Sequence, residues 1–247
     1  MTYDPLSASR LLPHYGLDNP GVIRTCAIVG LGIISFGIIA QDAEFIGPGA
    51  AKLPIILGLA IVAAAISLIA YGAIGKYQVR DRMLAMVPWR GDESVLDVGT
   101  GRGLLAIGAA KRLKSGRTVG IDAWGAADLI GSGKSYAIRN AHVEGVADRV
   151  EIRDGDIRHT DFADGSFDVI LSLRFMHTLR TGAERIAASK EIARLLRPGG
   201  HVVIADYLPT APYAKSFADA GLSVERTSTC FIDARSPMWI TAATKPR

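Results

Sequence analysis

Two stretches of the chain, Val22 to Ala40 and Leu53 to Ile74, are apolar on every side. Each is about twenty residues long, the length at which a helix crosses the hydrocarbon layer of a bilayer. Arg24 is the lone charge of the first stretch and stands near its outer end, where a long side chain reaches water; the second has none. A helix buried in a soluble core normally keeps one polar face. The pattern therefore predicts a transmembrane helical hairpin over residues 22–75 in preference to two core helices. The linker Gln41 to Lys52 is short and contains Gly47-Pro48-Gly49, which makes the pair antiparallel. It carries Asp42, Glu44 and only Lys52, whereas Arg10 and Arg24 lie toward the start of the chain and Lys76, Arg80, Arg82 and Arg90 follow the second stretch. Cationic segments stay on the cytoplasmic side. A multi-pass protein of the cell (inner) membrane is expected, with both termini and the following domain cytoplasmic and the basic cluster facing membrane lipids. Gly30, Gly32 and Gly37 in the first helix, with Ala60 and Ala64 in the second, either let the helices pack closely or face lipid. Pairing of hairpins between subunits, which would make a homo-oligomer, is left open.

Residues 1–21 carry Pro5, Pro13 and Pro20 among mixed polar residues, which predicts irregular chain. Asp4 and Asp18 beside Arg10 do not make the cationic start of a signal peptide. Beyond the hairpin, Lys76 to Val87 reads as an amphipathic connector helix that Pro88 stops. From Glu93 short apolar runs alternate with helical ones, the pattern of a doubly wound, Rossmann-like α/β sheet. Strands are predicted at Ser94–Val98, Arg117–Ile121, Val150–Arg153, Phe167–Leu173 and His201–Ala205, with helices near Leu104–Leu113, Lys134–Glu144 and Ala183–Leu196. A short helix, Ala211–Ala220, and strands at Leu222–Cys230 and Met238–Thr244 close the chain. Two strands joined without a crossover helix are antiparallel. Three parts result: an N-terminal segment (1–21), the hairpin (22–75, helices 22–40 and 53–74) and an α/β domain (76–247).

Composition adds little to this division. The 247 residues are 49% hydrophobic, and the excess lies before residue 76. A net charge of +4 invites a nucleic-acid reading, but the basic residues form no block interleaved with aromatics, so no nucleic-acid partner is expected. Cys26 and Cys230 lie far apart and fit no disulfide or metal spacing, so no metal is expected either.

The α/β domain is organised around VLDVGTGRG, Val95 to Gly103, an apolar strand running through a glycine-rich turn into a helix. Glycines let backbone N–H groups approach a ligand, and a helix start favours an anionic group. Asp97, Gly99, Gly101 and Gly103 fill the acid-x-Gly-x-Gly-x-Gly pattern, and the stretch resembles the first motif of class I S-adenosylmethionine-dependent methyltransferases. Gly101, Gly103 and Ala106 also satisfy the looser dinucleotide fingerprint of an oxidoreductase. The later motifs favour the methyltransferase. Asp122 ends the second strand, Asp156 follows the third, ADGSFDVILS enters the fourth, and LLRPGGHVVIAD with the closing strand pair is similar to that family's ending. The resemblance covers roughly residues 76–247.

It implies S-adenosylmethionine as cosubstrate. Asp97, Gly99, Thr100, Gly101 and Gly103 would hold its methionine part, and Asp122 the ribose hydroxyls. Trp124 would lie against the adenine or in the core, Asp156 would meet the adenine amino group with Ile157 as its apolar neighbour, and Ser172 would stand beside the ligand at the end of the fourth strand. The segment after that strand, Leu171 to His177, lacks the Asn/Asp-Pro-Pro-aromatic signature of amino-group methylation and the Pro-Cys nucleophile of cytosine enzymes. His177 is a candidate general base or a packing residue, and Arg174 a candidate for an anionic acceptor group, the cosubstrate carboxylate or a surface ion pair. Tyr207, Tyr213, Phe175 and Met176 would form an apolar mouth. The expectation is a membrane-anchored methyltransferase that methylates oxygen or carbon of a small or lipid-like acceptor by direct in-line transfer. A membrane-anchored protein methyltransferase and a non-catalytic S-adenosylmethionine-binding module are the alternatives, with a dinucleotide-dependent oxidoreductase least favoured.

Overall fold

A computed structural model of the chain describes residues 15–17, 20–124, 133–229 and 238–247. Most of the 1–21 segment, Cys230 and the turn after it lie outside the described residues. Contacts divide the chain into two compact units, one spanning Gly16–Lys76 and the other containing Tyr77–Phe231 and Pro237–Arg247.

In the first unit α1, Pro20–Asp42, and α2, Pro48–Ala70, are helices of 23 residues each. The linker is shorter than the sequence implied, only residues 43–47, because Pro48 opens α2; a proline suits a first turn, where no N–H is needed. Pro20 likewise opens α1 and is not part of an irregular segment. The helices meet along small residues: Gly30, Gly37 and Ala40 are buried on α1, and Ala51, Gly58 and Ala65 on α2. The backbones nearly touch at one point, since a Cβ on Gly58 would fall 2.6 Å from the Gly30 carbonyl oxygen. Gly32, Ala60 and Ala64, also candidates for this seam, lie outside it: a Cβ on Gly32 would meet nothing within 4 Å beyond its own helix, and Ala60 and Ala64 are exposed. The larger apolar side chains point outward, with Phe36 63% and Leu53 74% exposed. This arrangement is the reverse of a water-soluble helix pair, which hides its large residues and shows polar ones.

Past α2 the helix runs through a single π turn, Tyr71–Gly75, into α3, Lys76–Ala85. The second unit then builds β1 (Ser94–Val98), α4 (Leu104–Ala110), β2 (Arg117–Asp122), α5 (Gly133–Val143), β3 (Val150–Asp154), β4 (Phe167–Leu173), α6 (Gly182–Leu195), β5 (Leu196–Asp206), α7 (Ala211–Asp219), β6 (Ser223–Thr229) and β7 (Trp239–Thr244). They form one seven-stranded sheet in the order β3-β2-β1-β4-β5-β7-β6. Neighbours from β3 to β5 pair in parallel, whereas β7 is antiparallel to both β5 and β6. Fully buried Leu96, Ile170, Ile192, Leu195, Val202 and Ile204 belong to its main core, as alternating parallel strands and amphipathic helices require.

Two boundaries of this unit differ from the sequence reading by more than two residues. β5 starts at Leu196 instead of His201, because Arg197-Pro198-Gly199-Gly200 is a bulge inside the strand and not a turn before it: Phe167 pairs with Leu196, and Val169 with His201. α4 stops at Ala110, and the chain to Leu113 tightens into shorter-range bonds such as Arg112 N–H to the Ala109 carbonyl. Strand order reverses between β1 and β4, and ligands of doubly wound sheets bind in the crevice at such a switch, beyond the carboxyl ends of the strands.

Candidate active site

The glycine turn occupies that crevice. The N–H groups of Gly99 and Thr100 donate to the Ile121 carbonyl at 2.9 and 3.0 Å, which ties the turn to β2. Gly99, Gly101 and Gly103 have φ of +71°, +52° and +84°, a left-handed backbone that side chains disfavour. Gly99 is also closed by contact, since a Cβ there would fall 2.4 Å from the Phe175 side chain. Gly101 is different: a Cβ on it would meet nothing within 4 Å. The turn is therefore pinned at its ends and open in the middle.

Asp97 acts inside the protein. It is buried, and its Oδ2 accepts from the Thr100 hydroxyl at 2.8 Å and the Ala106 N–H at 2.9 Å, holding the turn against the start of α4. Burial pushes its carboxyl up to about 7, against the opposing pull of those two hydrogen bonds. Thr100 is buried with it, so both position the glycine backbone.

Asp122, at the end of β2, accepts from Gly101 N–H through Oδ2 at 2.9 Å and from Trp124 N–H through Oδ1 at 3.2 Å. It stands beside the open glycine. Trp124 has φ +43° and packs its ring against Gly133 at the start of α5, where a Cβ would come within 2.5 Å. The Asp156 carboxylate accepts from the Arg158 N–H at 2.9 Å and from the Arg158 guanidinium, which holds its pKa below the usual carboxylate value. Next to it opens a cavity of about 450 Å³ lined by Ile121, Asp154, Gly155, Asp156, His159 and Phe162. Ile157 and Ser172 do not face this space. Ile157 is 1% exposed in the core, and Ser172 is fully buried with its hydroxyl on the Val98 carbonyl at 2.9 Å.

At the ends of β4 and β5 lies a constellation that the sequence showed only in part. The Nδ1 of His177 lies 2.9 Å from Oδ1 of Asp206, and His177 N–H donates to Oδ2 of the same residue at 3.0 Å. Asp206 is fully buried and also accepts from Tyr207 N–H at 2.8 Å. A carboxylate oxygen accepts, so the pairing with Asp206 suits the tautomer that carries its proton on Nδ1, in which Nε2 is the acceptor. Tyr207 lies with its ring centroid 4.4 Å from that of His177, and the Arg174 guanidinium stands 5.6 Å from the Tyr207 ring centroid. Arg174 has φ +56°, and its N–H donates to the Ala205 carbonyl at 2.8 Å. Asp206 is the residue that sequence reasoning missed. Its signal was an acid ending the apolar run of β5, but its partner is 29 positions away. Met176 and Tyr213 are buried and form no open mouth, while Tyr207 is 39% exposed.

The open glycine and the two strand-end carboxylates fit an adenosyl ligand carrying an amino-acid tail. Among the described residues no group of three or more metal-ligating side chains occurs. Comparison with known proteins points the same way. Residues 96–204 match the family model described as a methyltransferase domain. The chain is 29% identical over 150 residues to 27-O-demethylrifamycin SV methyltransferase of Amycolatopsis mediterranei, covering 58% of this chain and 49% of that protein. It is 32% identical over 114 residues to the ubiquinone/menaquinone biosynthesis C-methyltransferase of Geotalea daltonii, covering 46% and 45%. The match thus spans only about half the length of these curated relatives. The fold is similar to that of geranyl diphosphate C-methyltransferase from Streptomyces coelicolor, with a TM-score of 0.56, 16% identity and coverage of 69% of this chain and 79% of that one. Residues 96–204 of this chain are therefore similar to a methyltransferase domain, and the α/β unit that contains them shares its fold with a solved methyltransferase.

Proposed function

We propose that the chain is a membrane-held methyltransferase that uses S-adenosylmethionine to methylate oxygen or carbon of a small or lipid-like acceptor. The observation that carries the reading is the open space at Gly101 beside Asp122, at the topological switch of the sheet. When bound there, S-adenosylmethionine supplies a methyl group on a positively charged sulfur, and an acceptor that gains it through an O–H or C–H group must give up one proton. Gly99 to Gly103 would bind the amino-acid tail, Asp122 the ribose and Asp156 the base. Asp97 and Thr100 would keep the turn in shape. His177, oriented by Asp206, would take the proton at Nε2. Curated relatives named for O- and C-methylation of small molecules support the acceptor class.

Calorimetry on the full chain in detergent tests the cosubstrate. Saturable binding of S-adenosylhomocysteine with none of nicotinamide dinucleotide is expected, and the opposite preference would overturn the reading. Radiolabel from the methyl group should then appear in an organic extract of membranes; label confined to protein would select a protein acceptor instead. The outward apolar surface of α1 and α2 supports a membrane hairpin with both termini in the cytoplasm. That placement predicts that the chain stays in membranes through alkaline carbonate washing and that reporters fused to either terminus are active only in the cytoplasm. Release by carbonate would remove the anchor from the proposal.

A further inference from the structure

We infer that Arg158 is a positioning residue that sets which base the cosubstrate carries: it fixes the direction of the Asp156 carboxylate, so that a purine amino group is accepted and a keto oxygen in its place is refused. The inference rests on the proposed placement of the base at Asp156 and deepens it.

Asp156 and Arg158 stand two residues apart in the connection from β3 to β4. All three guanidinium nitrogens of Arg158 are engaged. Nε donates to Oδ1 and Oδ2 of Asp156 at 3.0 and 2.9 Å, Nη2 donates to Oδ2, and Nη1 donates to Oε1 of Glu184 at 2.6 Å. Glu184 is itself held, because its other carboxylate oxygen accepts from Thr181 N–H at the start of α6 at 2.9 Å. The fork is thus fixed at both ends, on the loop after β3 and on a helix cap. The backbone beneath it is pinned as well, since His159 N–H donates to the Asp156 carbonyl at 3.1 Å.

Stability does not account for this arrangement. The side chains of Arg158, Asp156 and Glu184 are 40%, 25% and 27% exposed, and ion pairs so open to water contribute little to folding. The consequence of the clamp is chemical. A carboxylate has about four lone-pair sites. Arg158 supplies three donors to them, two from its fork and its own backbone N–H, which reaches Oδ1 at 2.9 Å. Room for one more donor is left on a residue that lines the cavity of about 450 Å³. The guanidinium also holds the carboxyl below its usual pKa, so the group accepts and does not donate.

Adenine offers such an acceptor an N–H of its amino group. Hypoxanthine, its keto counterpart, puts an oxygen there and carries an N–H on the neighbouring ring nitrogen instead. A carboxylate free to turn would follow that N–H and bind both bases. One held by a two-pronged cation meets the keto oxygen, negative charge against lone pair, and refuses it. Lysine is no substitute for the clamp, because an ammonium is a point charge without a fixed fork.

Calorimetry with S-adenosylhomocysteine and S-inosylhomocysteine, which differ only in this part of the base, tests the inference on the full chain in detergent. The native chain should prefer the adenosyl compound by roughly a hundredfold, the scale of one hydrogen bond to a charged group. In Arg158→Gln that preference should shrink to below about tenfold, chiefly because the inosyl compound binds better, and the melting temperature should stay close to the native value, as for an exposed ion pair. Arg158→Lys should lose the preference too. Asp156→Asn, whose amide N–H donates to a keto oxygen, should bind the inosyl compound at least as well as the adenosyl one. Full rescue by lysine, equal native affinity for both compounds, or an unaltered preference in Arg158→Gln overturns the inference; the last includes a fall of both affinities by the same factor, which a merely structural role would give. If Asp156→Asn leaves both affinities at their native values, the base does not lie at Asp156 and the placement beneath the inference falls. Failure of the folded protein to bind either compound overturns the methyltransferase reading itself.

Discussion

At Gly101 a side chain would meet no protein atom within 4 Å, so Gly101→Ala costs the empty fold only a left-handed alanine, about 1 kcal/mol. The melting temperature should fall by roughly 2–4 °C, while S-adenosylhomocysteine affinity measured by calorimetry falls tenfold or more, because the methyl group occupies ligand space. Unchanged affinity would move the ligand elsewhere. Asp97 makes a different kind of prediction. Its folded pKa of about 7 lies above the unfolded value of 3.8, so the folded chain holds an extra proton between those limits. The stability this contributes is complete below about pH 4 and is lost as pH rises through about 7. An asparagine in its place would keep an oxygen for both donors and carry no such dependence. The urea midpoint of Asp97→Asn should therefore gain on that of the native protein between pH 4.5 and 7.5; a constant difference would refute the raised pKa. The two residues also mark how far sequence could reach. The glycine turn and Asp122 were legible because their motif is local and directional. Ile157 and Ser172 were placed by motif order, which does not reveal which face of a strand or turn a side chain takes. The role of Asp206 was hidden because it depends on a contact between the end of β5 and the segment after β4, 29 positions apart in sequence.

β1 and β4 lie where their apolar runs predict. α6 opens one residue before the predicted Ala183, at a reciprocal cap that the sequence reading did not use: the Thr181 hydroxyl accepts from Glu184 N–H at 3.1 Å, and the Glu184 carboxylate accepts from Thr181 N–H at 2.9 Å. Thr181→Ala should cost about 1 kcal/mol in urea unfolding and Thr181→Ser much less; equal losses would mean that the methyl group, not the hydroxyl, matters. The bulge in β5 was not legible, since Arg-Pro-Gly-Gly has the chemistry of a turn whether it precedes a strand or interrupts one. The seam between α1 and α2 was legible only in Gly30 and Gly37. Where every residue is apolar, hydropathy says nothing about which face meets the partner helix. The spacing of Ala51, Gly58 and Ala65, seven residues apart, carried that information in size alone.

For the molecule as a whole, fold class and the antiparallel closing pair followed from the order of strands and helices, but not the position of β7, which lies between β5 and β6. Hydrogen bonds from the Lys245 Nζ to the Ala193 and Leu196 carbonyls, both 2.8 Å, fasten its end to α6 and β5. Deleting residues 239–247 should therefore abolish cooperative unfolding and leave an aggregating chain, followed by circular dichroism and size exclusion; a soluble variant with a sharp transition would show that β6 can take the vacant place. During synthesis the same order becomes a matter of timing. Every other strand of the sheet leaves the ribosome before the one that joins β5 to β6, so β5 waits with an open, adhesive edge. A pause in translation near residue 230 would lengthen that wait, and a chaperone that covers strand edges would have its greatest effect there.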